Sequence, residues 1–325
     1  MSADARTVVA VAGASLIGLF VALELRSRGR DVVVLERRAA PPRRSSMPAP
    51  VPLEQAEQRD MRAWLDRHQV YPSGSDVGLD ADGVDADGLW HALVERALVA
   101  GVRIVWERRV LGVHVVDGAA TAVRTDAGET AADAVVVAAG AEAVGITPAL
   151  GLQLPVIPEH SAWMRLADLP GSAGWRTRAP SDVTERNGVH LACVWCDGDG
   201  SGLVGAYRSF GAAGDRRDAL ARAFLVGAAG RIAPEATVGG APTWRLHAHT
   251  SADHLPVVGV APRASGVVLA LPHGPFGNAR AVDIARRACD AVTSAVTSAV
   301  TSRDHPWSLA RFPQAATGGR MEAAR

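Results

Sequence analysis

Hydrophobic positions in the first forty residues follow the pattern of a βαβ unit. Thr7–Ala12 is almost entirely apolar, as expected of a strand buried in a parallel sheet. Ser15–Arg28 has the length and composition of a helix, and Asp31–Leu35 is a second apolar strand. Gly29 follows the helix, where glycine commonly ends one. The pattern predicts a strand, a helix and a parallel strand in succession.

The turn before this helix carries a glycine motif. It reads Gly13-Ala14-Ser15-Leu16-Ile17-Gly18, which is GxGxxG with serine at the middle glycine. Between a strand and a helix this motif predicts a dinucleotide site, because free N–H groups at the helix start attract a pyrophosphate. Glu36 ends the second strand, where a carboxylate binds ribose hydroxyls. Ser15 could cap the helix or bond the phosphate. The alternative interpretation is a parallel α/β unit that binds nothing.

Later segments alternate between helical and strand-like patterns. Short β-rich segments separated by glycine turns predict an antiparallel meander inserted into the nucleotide domain. Its last segment, DAVVVAA before Gly140, is apolar on both faces and predicts a buried parallel strand. The predicted helices are Gln55–His68, Leu89–Ala100, Arg216–Ala229 and Ala279 to about Thr301. The predicted strands of this region are Val102–Trp106, Arg109–Val116, Ala119–Thr125 and Ala132–Ala138.

From Leu152 to about Thr250 the chain is mostly β and rich in Trp, with loops predicted at 169–188 and 197–202. We therefore predict an α/β fold (α+β mixed), in which a Rossmann-like dinucleotide-binding domain with an inserted β-meander is joined to a mostly β substrate domain. The dinucleotide-binding domain is predicted to be discontinuous. Its segments are 1–50, 90–150 and 250–325, and those of the substrate-binding domain are 51–89 and 151–249.

Composition limits the class of protein. The formal net charge is zero and 48% of residues are hydrophobic, which favours neither nucleic acid nor an anionic membrane as a partner. Apolar runs stay short of a membrane span, and no signal peptide is recognisable. Three cysteines favour a reducing compartment, so we expect a cytoplasmic protein. The chain has no lysine, which excludes Schiff-base chemistry.

Two short motifs resemble metal sites. Cys193 and Cys196 form CxxC within a strand-like run, where residues three apart point to opposite faces. His247 and His249 would share a face, but no further Cys or His cluster adjoins them. We therefore expect no metal, and interpret the histidines as pocket or core residues.

Several separated segments carry signatures in a fixed order. They are AGASLIGLFVALELRSRGRDVVVLER near the start, ADAVVVAAGA around Val137, ADHLPVVG at 252–259, LPHGPFGNA at 271–279 and PWSLARF at 306–312. Together they resemble the D-amino-acid oxidase superfamily of flavoproteins, in its glycine oxidase and sarcosine oxidase branch. The resemblance implies FAD rather than NAD, and oxidation of a C–N bond.

The resemblance also implies where FAD binds. Gly13, Ser15 and Gly18 would hold the pyrophosphate. Glu36 would bind the adenosine ribose. Sarcosine oxidases attach the flavin to a cysteine shortly before the motif that matches ADHLP, and residues 244–256 contain no cysteine, so FAD is expected to bind noncovalently. The positions implied to bind FAD are Gly13, Ser15, Leu16, Ile17, Gly18, Glu36, Arg37, Arg44, Ser45, Ser46, Val110, Ala139, Gly140, Gly274, Pro275, Phe276, Gly277 and Asn278.

The substrate ligands follow less directly. The family usually places an arginine for the substrate carboxylate before its D-G-L-P motif, and Ala248 occupies that position here. On the strand that carries GAYRSF, neighbouring side chains alternate between faces, so one of Tyr207 and Arg208 should face the flavin. The substrate-covering insertion is also shortened, which favours a larger substrate. The candidate substrate ligands are Arg208, Arg245, Tyr207, Arg280, His247 and His249.

The implied activity is that of an FAD-dependent amine or amino-acid oxidase of the glycine oxidase type. It would convert a small amino acid or N-substituted glycine to an imine that hydrolyses, with O2 reduced to H2O2. The flavin carries this chemistry, so no catalytic side chain is expected. A flavin dehydrogenase with another acceptor and a non-catalytic flavin-fold protein are the alternatives, and a NAD(P)-dependent reductase leaves the HGPFGN turn without a role. Homo-oligomerisation is left open.

Overall fold

The computed structural model describes residues 7–39, 50–53, 55–71, 83–171, 174–179, 192–196, 198–210, 215–271, 277–296 and 305–312. None of the helices in these ranges combines the length and apolar character needed to cross a membrane. The α-helices are α1 (Leu16–Ser27), α2 (Gln55–His68), α3 (Ala86–Val99), α4 (Ala143–Ile146), α5 (Asp215–Ile232) and α6 (Ala281–Val296). The strands are β1 (Val8–Ala12), β2 (Asp31–Leu35), β3 (Pro50–Pro52), β4 (Gly83–Asp85), β5 (Arg103–Val105), β6 (Val110–Val116), β7 (Ala119–Thr125), β8 (Gly128–Ala131), β9 (Ala134–Val137), β10 (Val156–Ala167), β11 (Gly174–Ala179), β12 (Ala192–Cys196), β13 (Gly202–Phe210), β14 (Thr237–Ser251), β15 (Val257–Ala261) and β16 (Ala264–Leu271).

The N-terminal βαβ unit belongs to a nine-stranded sheet. Its strands run in the order β5-β2-β1-β9-β16-β7-β6, with β15 paired to β16 and β8 to β7. β1 is parallel to both β2 and β9, and β9 is parallel to β16. Every residue of β9 is buried, as a strand covered on both faces requires. The predicted Rossmann-like α/β fold is confirmed.

The predicted meander is formed by β6, β7 and β8, which pair antiparallel in sequence order. The prediction gave the last place in the meander to 132–138, but that segment forms β9 in the parallel part of the sheet, and β8 is an additional strand. β8 has the sequence GETA and is largely exposed. A short polar strand at a sheet edge has no hydrophobic periodicity by which sequence could reveal it.

A second sheet is antiparallel and five-stranded, in the order β11-β12-β13-β10-β14. It confirms the mostly β character predicted for 152–250, and α5 packs against it through Ala221, Leu225 and Ala228. The loop predicted at 169–188 is wrong over 174–179, because β11 lies there and pairs with β12. Its sequence GWRTRA carries two arginines and little apolar character, so the strand is defined by pairing rather than by its own pattern.

All three cysteines are free thiols and are buried. Cys196 packs in the cluster beneath α5, whereas Cys193 packs with Trp163 and Trp195 in a second cluster. The two thiols of the CxxC sequence therefore lie on opposite faces of the sheet, as the strand period predicts. Among the described residues, no three His, Cys, Asp or Glu side chains gather as metal ligands.

A buried carboxylate joins α1 to α2. Glu24 is 6% exposed, and its Oε2 accepts hydrogen bonds from Trp64 Nε1 at 3.0 Å and lies 3.1 Å from His68 Nε2. Arg28 donates to Oε1 at 3.0 and 2.9 Å. The hydrogen bond to His68, supported by Arg28 and Trp64, outweighs the opposing effect of burial and lowers the pKa of Glu24 from 4.5 to about 2. This network holds α2 against α1, and the Trp64 ring also packs on Phe20 with ring centres 4.3 Å apart.

Glu24→Gln is expected to lower the free energy of unfolding at neutral pH by about 2 kcal/mol, because a charge-assisted network loses its charge. The pKa of Glu24 is lower in the folded protein than in the unfolded chain. Its contribution is therefore complete above pH 4.5 and is lost as the pH falls towards 2. Urea unfolding from pH 7 to pH 2 should show the stabilities of the two proteins converging. A difference that is independent of pH would contradict this role.

Candidate active site

The glycine turn lies so close to the end of β9 that side chains are excluded there. Gly13 has a φ of +101°, and a Cβ at this position would lie 2.9 Å from the carbonyl oxygen of Ala138. A Cβ at Gly18 would lie only 2.0 Å from the carbonyl oxygen of Gly13. Both positions therefore require glycine. Such close packing of turn, helix and strand is what the motif's glycines provide in dinucleotide-binding folds.

Ser15 is the N-cap of α1. Its Oγ accepts a hydrogen bond from the Gly18 N–H at 3.1 Å and donates to the Ala138 carbonyl at 3.1 Å. Of the two roles predicted for this hydroxyl, the structure has the helix cap. Ile17 is fully buried in the core and Leu16 packs against that core. Their side chains therefore anchor the start of α1 in the core.

Glu36 follows β2 directly and lies beside the turn. It is 5% exposed, and its Oε2 accepts a hydrogen bond from the Ala14 N–H at 2.8 Å. Arg38 also donates to Glu36, from its backbone N–H and from its guanidinium. Burial alone would raise the pKa of the Glu36 carboxyl, but the hydrogen bonds and charge of Arg38 lower the pKa below its usual value. Glu36 is thus a buried anion at the edge of the glycine turn.

Two residues at this edge were not predicted from the sequence. Trp90, on α3, donates through Nε1 to the Ala14 carbonyl at 2.6 Å. Arg38 Nη2 donates to the same carbonyl at 3.1 Å, and its Cζ lies 4.9 Å from the centre of the Trp90 ring. Together with Glu36 they bind the backbone of Ala14 at both its N–H and its C=O, which belong to successive peptide groups. Arg38 lies only two residues beyond Glu36 and could have been considered, whereas the approach of Trp90 is set by the tertiary fold.

The turn opens onto a cavity of about 240 Å³. Arg37 and Arg109 approach the Glu142 carboxylate at its rim, at 3.2 and 3.4 Å. The cavity brings together predicted residues from the glycine turn, from the end of β2, from the start of β6 and from the segment after β9. Its lining residues are Gly13, Ser15, Leu35, Glu36, Arg37, Arg38, Arg108, Val110, Ala138, Ala139, Gly140 and Glu142.

The remaining cofactor candidates lie elsewhere. Gly277 and Asn278 begin a short 3-10 helix before α6. Arg44, Ser45, Ser46, Gly274, Pro275 and Phe276 lie outside the described residues. Arg280 follows in the same 3-10 helix, and its Cζ lies 5.8 Å from the centre of the Trp307 ring.

Arg208 forms a buried ion pair in the five-stranded sheet. Its Nη2 donates to Glu159 Oε1, and the two residues are 6% and 2% exposed. Burial lowers the pKa of Arg208 to about 10, so the side chain stays cationic at neutral pH. His254 lies close enough that burial, together with the charge of Arg208, lowers the pKa of its imidazole. Thr250 Oγ1 lies 3.0 Å from His254 Nδ1. Glu159 was not predicted from the sequence.

Tyr207 lies on the opposite face of that sheet from Arg208. Its ring centre is 5.9 Å from Phe224 of α5 and 6.2 Å from Trp244, so α5 covers it. The backbones of Arg245 and His247 pair with Ser161 and Glu159 in the β10–β14 register. His249 lies in the same strand, and the side chains of 245–249 are outside the described part of the structure.

A family model described as DAO, FAD dependent oxidoreductase, matches residues 49–290, which is well over half of the chain. The chain belongs to this family. It is therefore an FAD-dependent oxidoreductase, as the sequence signatures predict. No curated protein matches the chain.

Several solved structures share this fold over nearly the whole length of the chain. Glycine oxidase from Geobacillus kaustophilus is 19% identical, with a TM-score of 0.63 over 94% of this chain and 98% of that one. L-amino acid deaminase from Proteus vulgaris, with its specific insertion deleted, is 17% identical, with a TM-score of 0.63 over 96% and 95%. L-proline dehydrogenase from P. horikoshii is 14% identical, with a TM-score of 0.66 over 95% and 98%. At these identities the likeness establishes the fold.

The described residues of this oxidoreductase fit the ADP half of FAD. A Cβ at Gly13 or Gly18 would overlap the backbone of the turn or of the segment after β9, and Gly13 presents only backbone to the cavity that it lines. The N-terminus of α1 supplies N–H groups for a pyrophosphate, and Arg37 adds a cation at the rim. Glu36 supplies a carboxylate for hydroxyl donors. The chemistry of this donor set matches a nucleotide.

Proposed function

We propose that this FAD-dependent oxidoreductase oxidises the C–N bond of a small amino acid or N-substituted glycine. A hydride equivalent (two electrons and one proton) and one further proton leave the substrate, giving an imine that water hydrolyses, and O2 takes up two electrons and two protons to form H2O2. The observation that carries the proposal is the family match over 49–290, in a chain whose glycine turn and Glu36 line one cavity, the proposed nucleotide cradle. When bound, FAD supplies the two-electron chemistry. The protein supplies binding and orientation.

The cofactor contacts in this proposal follow from the cradle. Gly13, Gly18 and the capped start of α1 would receive the pyrophosphate, and Glu36 would bind the adenosine ribose. The segments proposed to bind FAD are 1–50, 90–150 and 250–325, and those proposed to bind substrate are 51–89 and 151–249. Within this division α2 belongs to a substrate segment, and its Trp64 packs on α1 of an FAD segment. FAD would bind noncovalently, so acid precipitation should release all the flavin into the supernatant. The cytoplasmic location stays a prediction.

The test is an absorption spectrum of the purified protein, repeated after anaerobic addition of glycine, sarcosine and longer N-alkylglycines. Bound oxidised flavin is expected to absorb at roughly 450 nm. Bleaching by one of these compounds identifies the substrate class, and peroxide formed on admitting air identifies O2 as acceptor. Flavin that no amine bleaches would contradict the proposed activity while leaving the cofactor intact.

A dehydrogenase that uses another electron acceptor is the second candidate. It is favoured by the fold shared with L-proline dehydrogenase from P. horikoshii. The two functions differ when air is admitted to the reduced protein. Reoxidation by O2 within seconds supports the oxidase, whereas a stable reduced flavin that an artificial acceptor reoxidises supports the dehydrogenase.

A further inference from the structure

The Glu36 carboxylate already accepts as many hydrogen bonds as its two oxygens allow. A carboxylate offers about four lone-pair sites. Oε1 accepts from the Arg38 backbone N–H at 3.0 Å and from Arg38 Nε at 2.9 Å. Oε2 accepts from the Ala14 N–H at 2.8 Å and from Arg38 Nη2 at 3.2 Å. With 5% of the residue exposed, no acceptor site is left for a further donor.

Two of these four hydrogen bonds form a fork. Arg38 Nε and Nη2 each donate to a different oxygen of Glu36, which is the bidentate arrangement of a guanidinium on a carboxylate. The vicinal hydroxyls of a ribose would bind a carboxylate in the same way, one hydroxyl to each oxygen. The fork and the ribose diol therefore require the same edge of Glu36.

We propose that Arg38 competes with the adenosine ribose of FAD for Glu36 and thereby sets the affinity for the cofactor. The inference rests on the proposed role of Glu36 as the ribose ligand. When the ribose binds, the Arg38 fork leaves the carboxylate, while the backbone donors of Ala14 and Arg38 remain. The Arg38 side chain is 37% exposed and can turn outward. The Trp90 ring, with Arg38 Cζ at 4.9 Å, retains the displaced guanidinium nearby through a cation–π contact.

Arg38→Met tests the proposal, because it keeps an unbranched stem beside Trp90 and removes every guanidinium donor. The protein is stripped of flavin and titrated with FAD, and binding is followed by quenching of flavin fluorescence. We expect FAD to bind about tenfold more tightly than in the wild type, since a charge-assisted fork no longer has to be broken. Weaker binding would show that Arg38 is a cofactor ligand and would overturn the proposal.

Arg37→Met is the matched control. It removes the same charge from the adjacent residue, which lines the same cavity but pairs with Glu142 rather than Glu36. Loss of a cation near the pyrophosphate should weaken FAD binding severalfold, so the two variants are expected to change affinity in opposite directions. If both variants changed the affinity for FAD equally, Arg38 would act only through its positive charge, as Arg37 does, and the proposal would be contradicted.

Competition by ADP and 2′-deoxy-ADP tests the diol argument and needs no variant. In the wild type the gain from the 2′-hydroxyl is offset by loss of the fork, so the two nucleotides should differ by less than about threefold in affinity. In Arg38→Met the preference for ADP should increase. A strong preference for ADP in the wild type would overturn the proposal even if Arg38→Met failed to fold.

Glu36→Gln separates this proposal from its premise. In Arg38→Met no fork has to be broken, so if Glu36 binds the ribose, adding Glu36→Gln to Arg38→Met should remove the gain in FAD affinity. Equal FAD affinity of Arg38→Met and of the double variant would remove Glu36 from the site and the proposal with it. All these measurements report nucleotide binding, so they do not depend on which amine is oxidised.

Discussion

Gly18→Ala is expected to abolish stable FAD binding. A Cβ at this position would lie 2.0 Å from the carbonyl oxygen of Gly13 and 3.1 Å from its carbonyl carbon. These are backbone atoms of the turn itself, so no side chain can move aside to relieve the overlap. The turn would have to leave the position in which it contacts Ala138 and presents its N–H groups.

The size of the effect follows from the turn's two roles. Overpacking costs about 1 to 3 kcal/mol of stability. A displaced turn also loses the pyrophosphate contacts, so the affinity for FAD should fall by more than about tenfold. Both are measured on purified protein, as flavin absorbance per mole of protein and as the melting temperature with and without added FAD.

Gly230→Ala is the matched control for this substitution. Gly230 lies in α5, and a Cβ at this position would meet no atom within 4 Å apart from its chain neighbours and the backbone of its own helix. Alanine is the better helix former, so this variant should keep its flavin and melt at the same temperature or slightly higher. Full flavin content in Gly18→Ala would show that the turn tolerates a shift and would contradict the assigned role of the glycine.

The glycine turn could be predicted because its determinants are local. Gly13 and Gly18 are specified by the backbone path between one strand and one helix, and that path is encoded within six residues. Gly29 ends α1 with a φ of +79° for the same kind of reason. The buried strands could be predicted equally well from the sequence, because a segment as apolar as AVVV fits few environments other than a buried strand.

Partners that come from distant segments could not be predicted in this way. Trp90 reaches Ala14 across 76 residues, and Glu159 meets Arg208 across 49. Neither residue carries a local signal, because the sheet register and helix packing bring them together. The sequence nominated Arg208 as a candidate substrate ligand, but its charge alone could not reveal that the Glu159 carboxylate pairs with it. The alternation of faces left Tyr207 and Arg208 as equal candidates, because the packing of α5 over the face of Tyr207 is set by the tertiary fold.

Arg208→Met is expected to destabilise the protein by about 3 to 5 kcal/mol, because it leaves the Glu159 carboxylate buried without its guanidinium partner. Glu159 is only 2% exposed, so water cannot replace the lost partner. Urea unfolding should show a large fall in the midpoint. The double variant Glu159→Gln/Arg208→Met removes both charges and should recover most of the loss, since a neutral pair avoids the desolvation cost of ions.

The double variant also decides whether Arg208 has a second role as a substrate-carboxylate ligand. If the pair acts only in folding, the recovered protein should keep the KM of the wild type for whichever amino acid bleaches the flavin. A KM raised by about tenfold or more, with flavin content and unfolding midpoint restored, would instead assign Arg208 to the substrate. A single Arg208→Met that unfolds like the wild type would contradict the pair's structural role, because a buried carboxylate cannot lose its cation at no cost.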